Sequence, residues 1–155
     1  MARKRILSPE IWESESFGAL DLLGKVLFIG MISQADDEGR GILSSQLLKS
    51  KILPYDIVRI ADVDKALEDI GHKTSTVFYE CEGKRYYCFE NWKKWQYIQK
   101  PNPSKFPSPP SGEGESLPPT KELSDKYDTN MILISEEYRN EKKGIEKKGI
   151  ERKRE

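Results

Sequence analysis

The strongest constraint on the fold lies between residues 74 and 89. Two runs dense in Tyr, Phe, Val and Thr, Thr74–Cys81 and Arg85–Phe89, are separated by Glu82-Gly83. Aromatic and β-branched residues suit a pleated, half-buried surface. A two-residue loop ending in Gly closes an antiparallel hairpin. With that loop Tyr79 faces Tyr86 and Phe78 faces Tyr87. A slip of one residue would exchange the two faces.

Helical spacing dominates what precedes the hairpin. Ser8-Pro9-Glu10 opens a short helix over 9–15, with Ser8 as cap and Pro9 at a position where its missing N–H costs nothing. A second helix spans about 21–34. Its apolar residues run almost all round, which marks it as the central buried helix. Asp36-Asp37-Glu38-Gly39-Arg40-Gly41 reads as a solvated turn, and Ile42-Leu43 as a short strand. Ser44 or Ser45 caps a helix ending at Ile52, ahead of Pro54. Val63, Ala66, Leu67 and Ile70 stripe a further helix over 61–70, with Asp62 as cap and Gly71 as stop. Asn91–Ile98, with Trp92, Trp95 and Tyr97, is expected to pack back on the body.

Composition divides the chain after residue 100. Residues 1–100 hold 45 apolar residues and 101–155 hold 11, so only the first part can bury a core. Residues 1–100 are therefore read as one domain, 101–120 as a Pro-rich linker, and 121–155 as a charged, mostly disordered tail. Within that tail, 123–138 allows a transient helix. The repeat Glu-Lys-Lys-Gly-Ile from Glu141 makes no helical stripe. Lys+Arg and Asp+Glu both total 26, which excludes a globally basic nucleic-acid binder and leaves only local basic surface. No apolar run approaches the roughly 20 residues that span a bilayer. No apolar signal core follows Arg3-Lys4-Arg5. Cys81 and Cys88 form no disulfide framework, so reduced thiols in a cytoplasm are expected, with no membrane partner.

Helix, short strand, two helices and a hairpin is the order of a winged helix-turn-helix domain. The fold class is thus α+β, with 74–89 as the wing. A generic α+β domain with a hairpin is the alternative. Several motifs sharpen the reading: Met1-Ala2-Arg3-Lys4-Arg5, Phe28-Ile29-Gly30, Ala35-Asp36-Asp37-Glu38-Gly39-Arg40, Leu53-Pro54-Tyr55-Asp56 and Asn91-Trp92-Lys93-Lys94-Trp95-Gln96. Together with Ile98 and Lys100-Pro101, they resemble the N-terminal domain of phage replisome-organiser, or DnaD-like, replication-initiation proteins. The resemblance covers about residues 1–110. It implies DNA binding during replication initiation, in the cytoplasm of a bacterial host. Members commonly carry His where this chain has Trp95, and full-length members continue into a helical domain that engages helicase-loading machinery. Here a proline linker and a charged tail follow instead, so helicase loading is not carried over.

No catalytic constellation emerges, and the chain is expected to be non-enzymatic and free of cofactors. His72 is the only histidine and follows a helix-ending Gly. Gly71-His72-Lys73-Thr74 lacks the earlier glycine of a phosphate loop. Cys81, Cys88 and His72 do not complete a zinc set. Arg40 interrupts the oxygen pattern a calcium loop would need.

Candidate DNA contacts are Arg3, Lys4 and Arg5 as a flexible arm, and Ser45, Gln46 and Lys49 on the first helix of the pair. Lys84 and Arg85 at the wing and Lys93, Lys94 and Lys100 after it complete the set. No acid lies between Glu90 and Glu113. The 61–70 helix carries Asp62, Asp64, Glu68 and Asp69 against Lys65, a balance repelled by phosphate walls. Contacts are therefore expected mainly at phosphates of a duplex, through cations gathered into one patch. The same acidic helix suits a rival role as a self-associating or partner-docking module. A transcriptional regulator is a third reading.

Overall fold

The computed structural model describes residues 3–110. It is an α+β body with five α-helices and a three-stranded antiparallel sheet. The expected first helix is split in two. Pro9–Glu13 is a 3-10 turn, and the Ser8 side chain makes no capping bond. The chain re-enters at Ser14, whose hydroxyl accepts from Phe17 N and starts helix α1, Glu15–Gly18. Helix α2, Leu22–Gln34, begins where Asp21 accepts from Gly24 N at 2.6 Å. Leu27 and Met31, one turn apart, are wholly buried. The opposite side is open, with Leu22 81% and Val26 46% exposed, so α2 is central without being enclosed.

Strand β1 is Arg40–Ile42, two residues earlier than the sequence suggests. Leu43 still adds a backbone bond to Arg85. Ser44 caps helix α3, Ser45–Ile52, through Leu47 N. Gly30 lets α3 approach α2, since a Cβ there would lie 2.5 Å from the Ile52 side chain. Helix α4, Ile60–Lys73, outruns the expected 61–70 at both ends. Arg59, not Asp62, is its N-cap residue, and Asp62 instead pairs with the Arg59 guanidinium. Gly71 does not stop it. The helix ends at Thr74, whose hydroxyl donates back to Ile70 O at 2.7 Å.

Strands β2, Thr76–Cys81, and β3, Lys84–Phe89, form the hairpin in the expected register, with Tyr79 opposite Tyr86 and Phe78 opposite Tyr87. Glu82 and Gly83 both have positive φ, the geometry of a primed turn. The sheet order is β1-β3-β2. Its inner face sends Phe78, Tyr87 and Phe89 against α2 and α4. The Tyr87 hydroxyl donates to Met31 O at 2.9 Å. Its outer face carries Arg40, Tyr79, Tyr86 and Cys88, with the two tyrosines stacked at 5.6 Å. Helix α5, Trp92–Trp95, follows.

Two sequence expectations change here. Residues 101–110 have no helix or strand, but they are not a free linker. Asn102, Ser104, Phe106 and Pro107 all bond to the body. The Asp36–Glu38 turn is not simply solvated, because Asp37 is 8% exposed and anchors three segments. The expected tail at 121–155, with its 123–138 helix and five-residue repeat, lies outside the described residues. No helix among the described residues is long and apolar enough to cross a membrane.

Candidate nucleic-acid interface

The arm is partly committed to the fold. Arg5 Nε and Nη2 donate to Ala35 O at 3.2 and 2.8 Å, and Nη2 also reaches Asp37 Oδ1 at 3.0 Å. Its guanidinium lies 5.6 Å from the centre of the Trp92 ring, and the side chain is 5% exposed. Arg5 is therefore a structural clamp, and the expectation of a flexible phosphate-seeking residue fails for it. Arg3 Nη1 lies 3.1 Å from Asp37 Oδ2 and donates to Lys100 O at 3.0 Å, yet its side chain stays 44% exposed. Lys4 is exposed. Asp37 is held below the usual carboxylate range, first by the Asn102 N–H and then by Arg5 and Arg3, against the opposing effect of burial.

The segment after β3 is drawn to the arm. Asn91 takes a left-handed backbone and turns the chain into α5. Trp92 is buried against Phe89 and donates Nε1 to Asp37 O at 3.1 Å. Gln96 is buried as well. Its amide donates to Ile6 O at 2.7 Å and accepts from Ile6 N at 2.9 Å, as a strand partner would. This bridge and the Arg3 bond to Lys100 O tie the arm to the segment after β3, and Lys4, Lys93, Lys94 and Lys100 are all exposed. None of these four forms an ion pair among the described residues. The Lys94 ammonium lies 4.9 Å from the Trp95 ring centre. Trp95 is 42% and Tyr97 79% exposed on the same stretch.

The remaining candidates lie elsewhere. Ser45 Oγ donates to Asp64 on α4. Gln46 and Lys84 are exposed, and Lys49 is half-buried. Arg85 is half-buried opposite Glu80. Burial lowers its guanidinium pKa, while Glu80 and Asp64 act the other way. The arm and the post-hairpin lysines adjoin the Phe89 end of β3, where Phe89 N bonds Gly39 O. Lys84, Arg85 and the start of α3 adjoin the other end. The five steps of about 3.3 Å from Lys84 to Phe89 put the two ends of this strand roughly 17 Å apart. The cations thus form two clusters rather than one continuous patch.

The acids of α4 are largely answered from within. Arg59 grips Asp62 with two bonds of 2.9 and 2.7 Å and keeps its carboxyl below the ordinary range. Lys73 reaches Asp69 at 3.2 Å. Ser45 covers Asp64. Cys81 and Cys88 are free, and no group of His, Cys, Asp and Glu among the described residues is arranged to hold a metal. Sequence reasoning missed Asp37, Gln96 and Arg40, whose partners lie far along the chain. The one local signal was the concentration of acids just after α2. Compared with protein-family models, curated proteins and solved structures, the chain matches none.

Proposed function

We propose that this is a winged-helix domain of the phage replisome-organiser kind, binding duplex DNA without enzymatic activity during replication initiation. The order α2-β1-α3-α4-β2-β3 and the strand order β1-β3-β2 support the winged-helix reading. The observation that carries DNA binding is the tie between the basic arm and the lysine-bearing segment after β3, made by Ile6 with Gln96 and by Arg3 with Lys100 O. A patch of this kind attracts phosphates without reading sequence. Gln46, Lys49 and Lys84 form a second contact zone across the sheet. Asp62 and Asp69, paired with Arg59 and Lys73, repel a duplex less than unpaired carboxylates would.

The test is a titration of the full chain onto duplex DNA at several salt concentrations, beside a Lys4→Ala, Lys93→Ala, Lys94→Ala triple variant. Each lost phosphate contact removes about 0.9 from the slope of log K against log salt. The triple variant should flatten that slope by about 2.7 while its melting temperature stays unchanged. An unchanged slope, or no binding by the parent at low salt, refutes the reading.

A second reading, a protein-docking module, has one observation in its favour. Tyr55 and Ile57, in the α3–α4 connection, are 97% and 104% exposed. A stable oligomer seen by light scattering that ignores DNA would favour it.

A further inference from the structure

The outer face of the sheet already holds a peptide. Residues 101–107 cross it without helix or strand and with a bend at residues 105–106, and the N–H groups of Asn102, Ser104 and Phe106 and the carbonyls of Phe106 and Pro107 are all hydrogen-bonded. Pro101, Pro103 and Pro107 have no N–H to satisfy. Asn102 N donates to Asp37 Oδ2 at 2.9 Å and Ser104 N to Glu38 Oε1 at 3.1 Å. Phe106 N donates to the segment's own Ser104 Oγ at 3.1 Å. Two successive carbonyls are read by side chains: Arg40 Nη1 donates to Phe106 O at 3.1 Å and the Tyr79 hydroxyl to Pro107 O at 2.7 Å. The Ser104 hydroxyl meets Asp36, and the Phe106 ring lies 5.8 Å from that of Tyr86.

This wall has the chemistry of a peptide-recognition surface. An aromatic pair receives one ring and one backbone carbonyl, while an acidic turn receives N–H and hydroxyl donors. The Ser104 hydroxyl and the Phe106 ring are the side chains it recognises, the rest being backbone contacts, much as aromatic-lined grooves receive proline-rich segments elsewhere. Arg40 Nε, buried in the same wall, has no hydrogen-bond partner among the described residues, so the present occupant leaves one donor unused.

We infer that the outer sheet face, lined by Asp36, Glu38, Arg40, Tyr79 and Tyr86, is a binding site for peptides of the type Pro-Ser-x-Phe-Pro, and that residues 103–107 are its tethered occupant. The inference is independent of DNA binding. A peptide of the same chemistry on another protein competes for the site. The tethered segment holds an advantage, because tethering gives it a local concentration on the order of millimolar. A free peptide of intrinsic Kd about 0.1 mM would then compete with an apparent Kd about tenfold weaker.

The experiment uses the full chain and a fluorescein-labelled peptide carrying the sequence of residues 101–108, followed by polarisation. A Ser104→Ala, Phe106→Ala variant disables the tethered occupant and leaves the wall intact. It should bind the peptide at least about tenfold more tightly than the parent chain does. The same peptide with its Phe replaced by Ala should not bind. A folded variant that ignores the peptide, or binds it no better than the parent, overturns the inference. Should the variant not fold, hydrogen exchange on the unaltered chain decides. Excess peptide should speed exchange at the Asn102, Ser104 and Phe106 amides severalfold and leave β3 unchanged. No acceleration also overturns it.

Discussion

Replacing Asp37 by Ala should be among the most damaging single changes in the described residues. Its carboxylate receives Arg5 Nη2 at 3.0 Å, Arg3 Nη1 at 3.1 Å and Asn102 N at 2.9 Å. Both Arg5 and Asp37 side chains are 5% exposed, so water cannot replace the lost acceptor. Arg5 would keep only Ala35 O and the Trp92 face. Breaking a buried ion pair by removing one partner costs about 3–5 kcal/mol. The Arg3 contact is discounted, since that side chain is 44% exposed and screened. At about 4 °C per kcal/mol for a domain of this size, the melting temperature should fall by about 12–20 °C. Thermal and urea unfolding followed by circular dichroism measure it.

The pH dependence gives the same reasoning a second reading. The carboxyl of Asp37 lies below its ordinary value of 3.8 in the folded state. Its contribution is therefore complete above that value and is lost as pH falls through the folded-state pKa. The stability gap between the parent and an Asp37→Asn variant should be full at neutral pH and close as the pH drops below about 4. The companion change Arg5→Ala should lower stability without flattening the salt slope of DNA binding. An Asp37→Ala protein within about 1 kcal/mol of the parent refutes the clamp, because surface pairs are worth no more than that. So does an Arg5→Ala protein that alters only DNA affinity.

Gly39→Ala should destabilise by about 1–3 kcal/mol in urea unfolding, because the position has φ +80° and a Cβ would stand 2.7 Å from the Trp92 ring. Tyr79 should titrate at about 12, displaced upward from 10.0 chiefly by burial. Spectrophotometric titration against a Tyr79→Phe variant isolates its phenolate band, and a titration near 10 would show that the tyrosine is not covered.

The parts of the fold that could be read from residues were those fixed locally. Glu82-Gly83 dictates the hairpin register because a two-residue turn allows little else. Ser44, one of the two serines expected to cap α3, starts it because its hydroxyl meets the orphan Leu47 N–H three residues on. Local rules misled where a tertiary partner intervened. Asp62 looks like a cap, but the neighbouring Arg59 claims it. Gly71 looks like a stop, but it lies against the Phe78 ring, where a Cβ would come within 2.9 Å, so its small size serves the contact between α4 and β2.

The candidate surfaces were much less legible, and for one reason. Arg5, Asp37, Gln96, Asn102 and Ser104 are polar residues in segments without regular structure, and composition alone assigns such residues to solvent. Their partners stand 32 residues away for Arg5 and Asp37, 90 for Ile6 and Gln96, and 68 for Asp36 and Ser104. No periodicity spans such separations. The buried cation and carboxylate are tolerable only together, since either alone would carry an uncompensated desolvation cost. The arm, the acidic turn and the proline segment therefore hold one another in place, a role that none of the three shows when read without the other two.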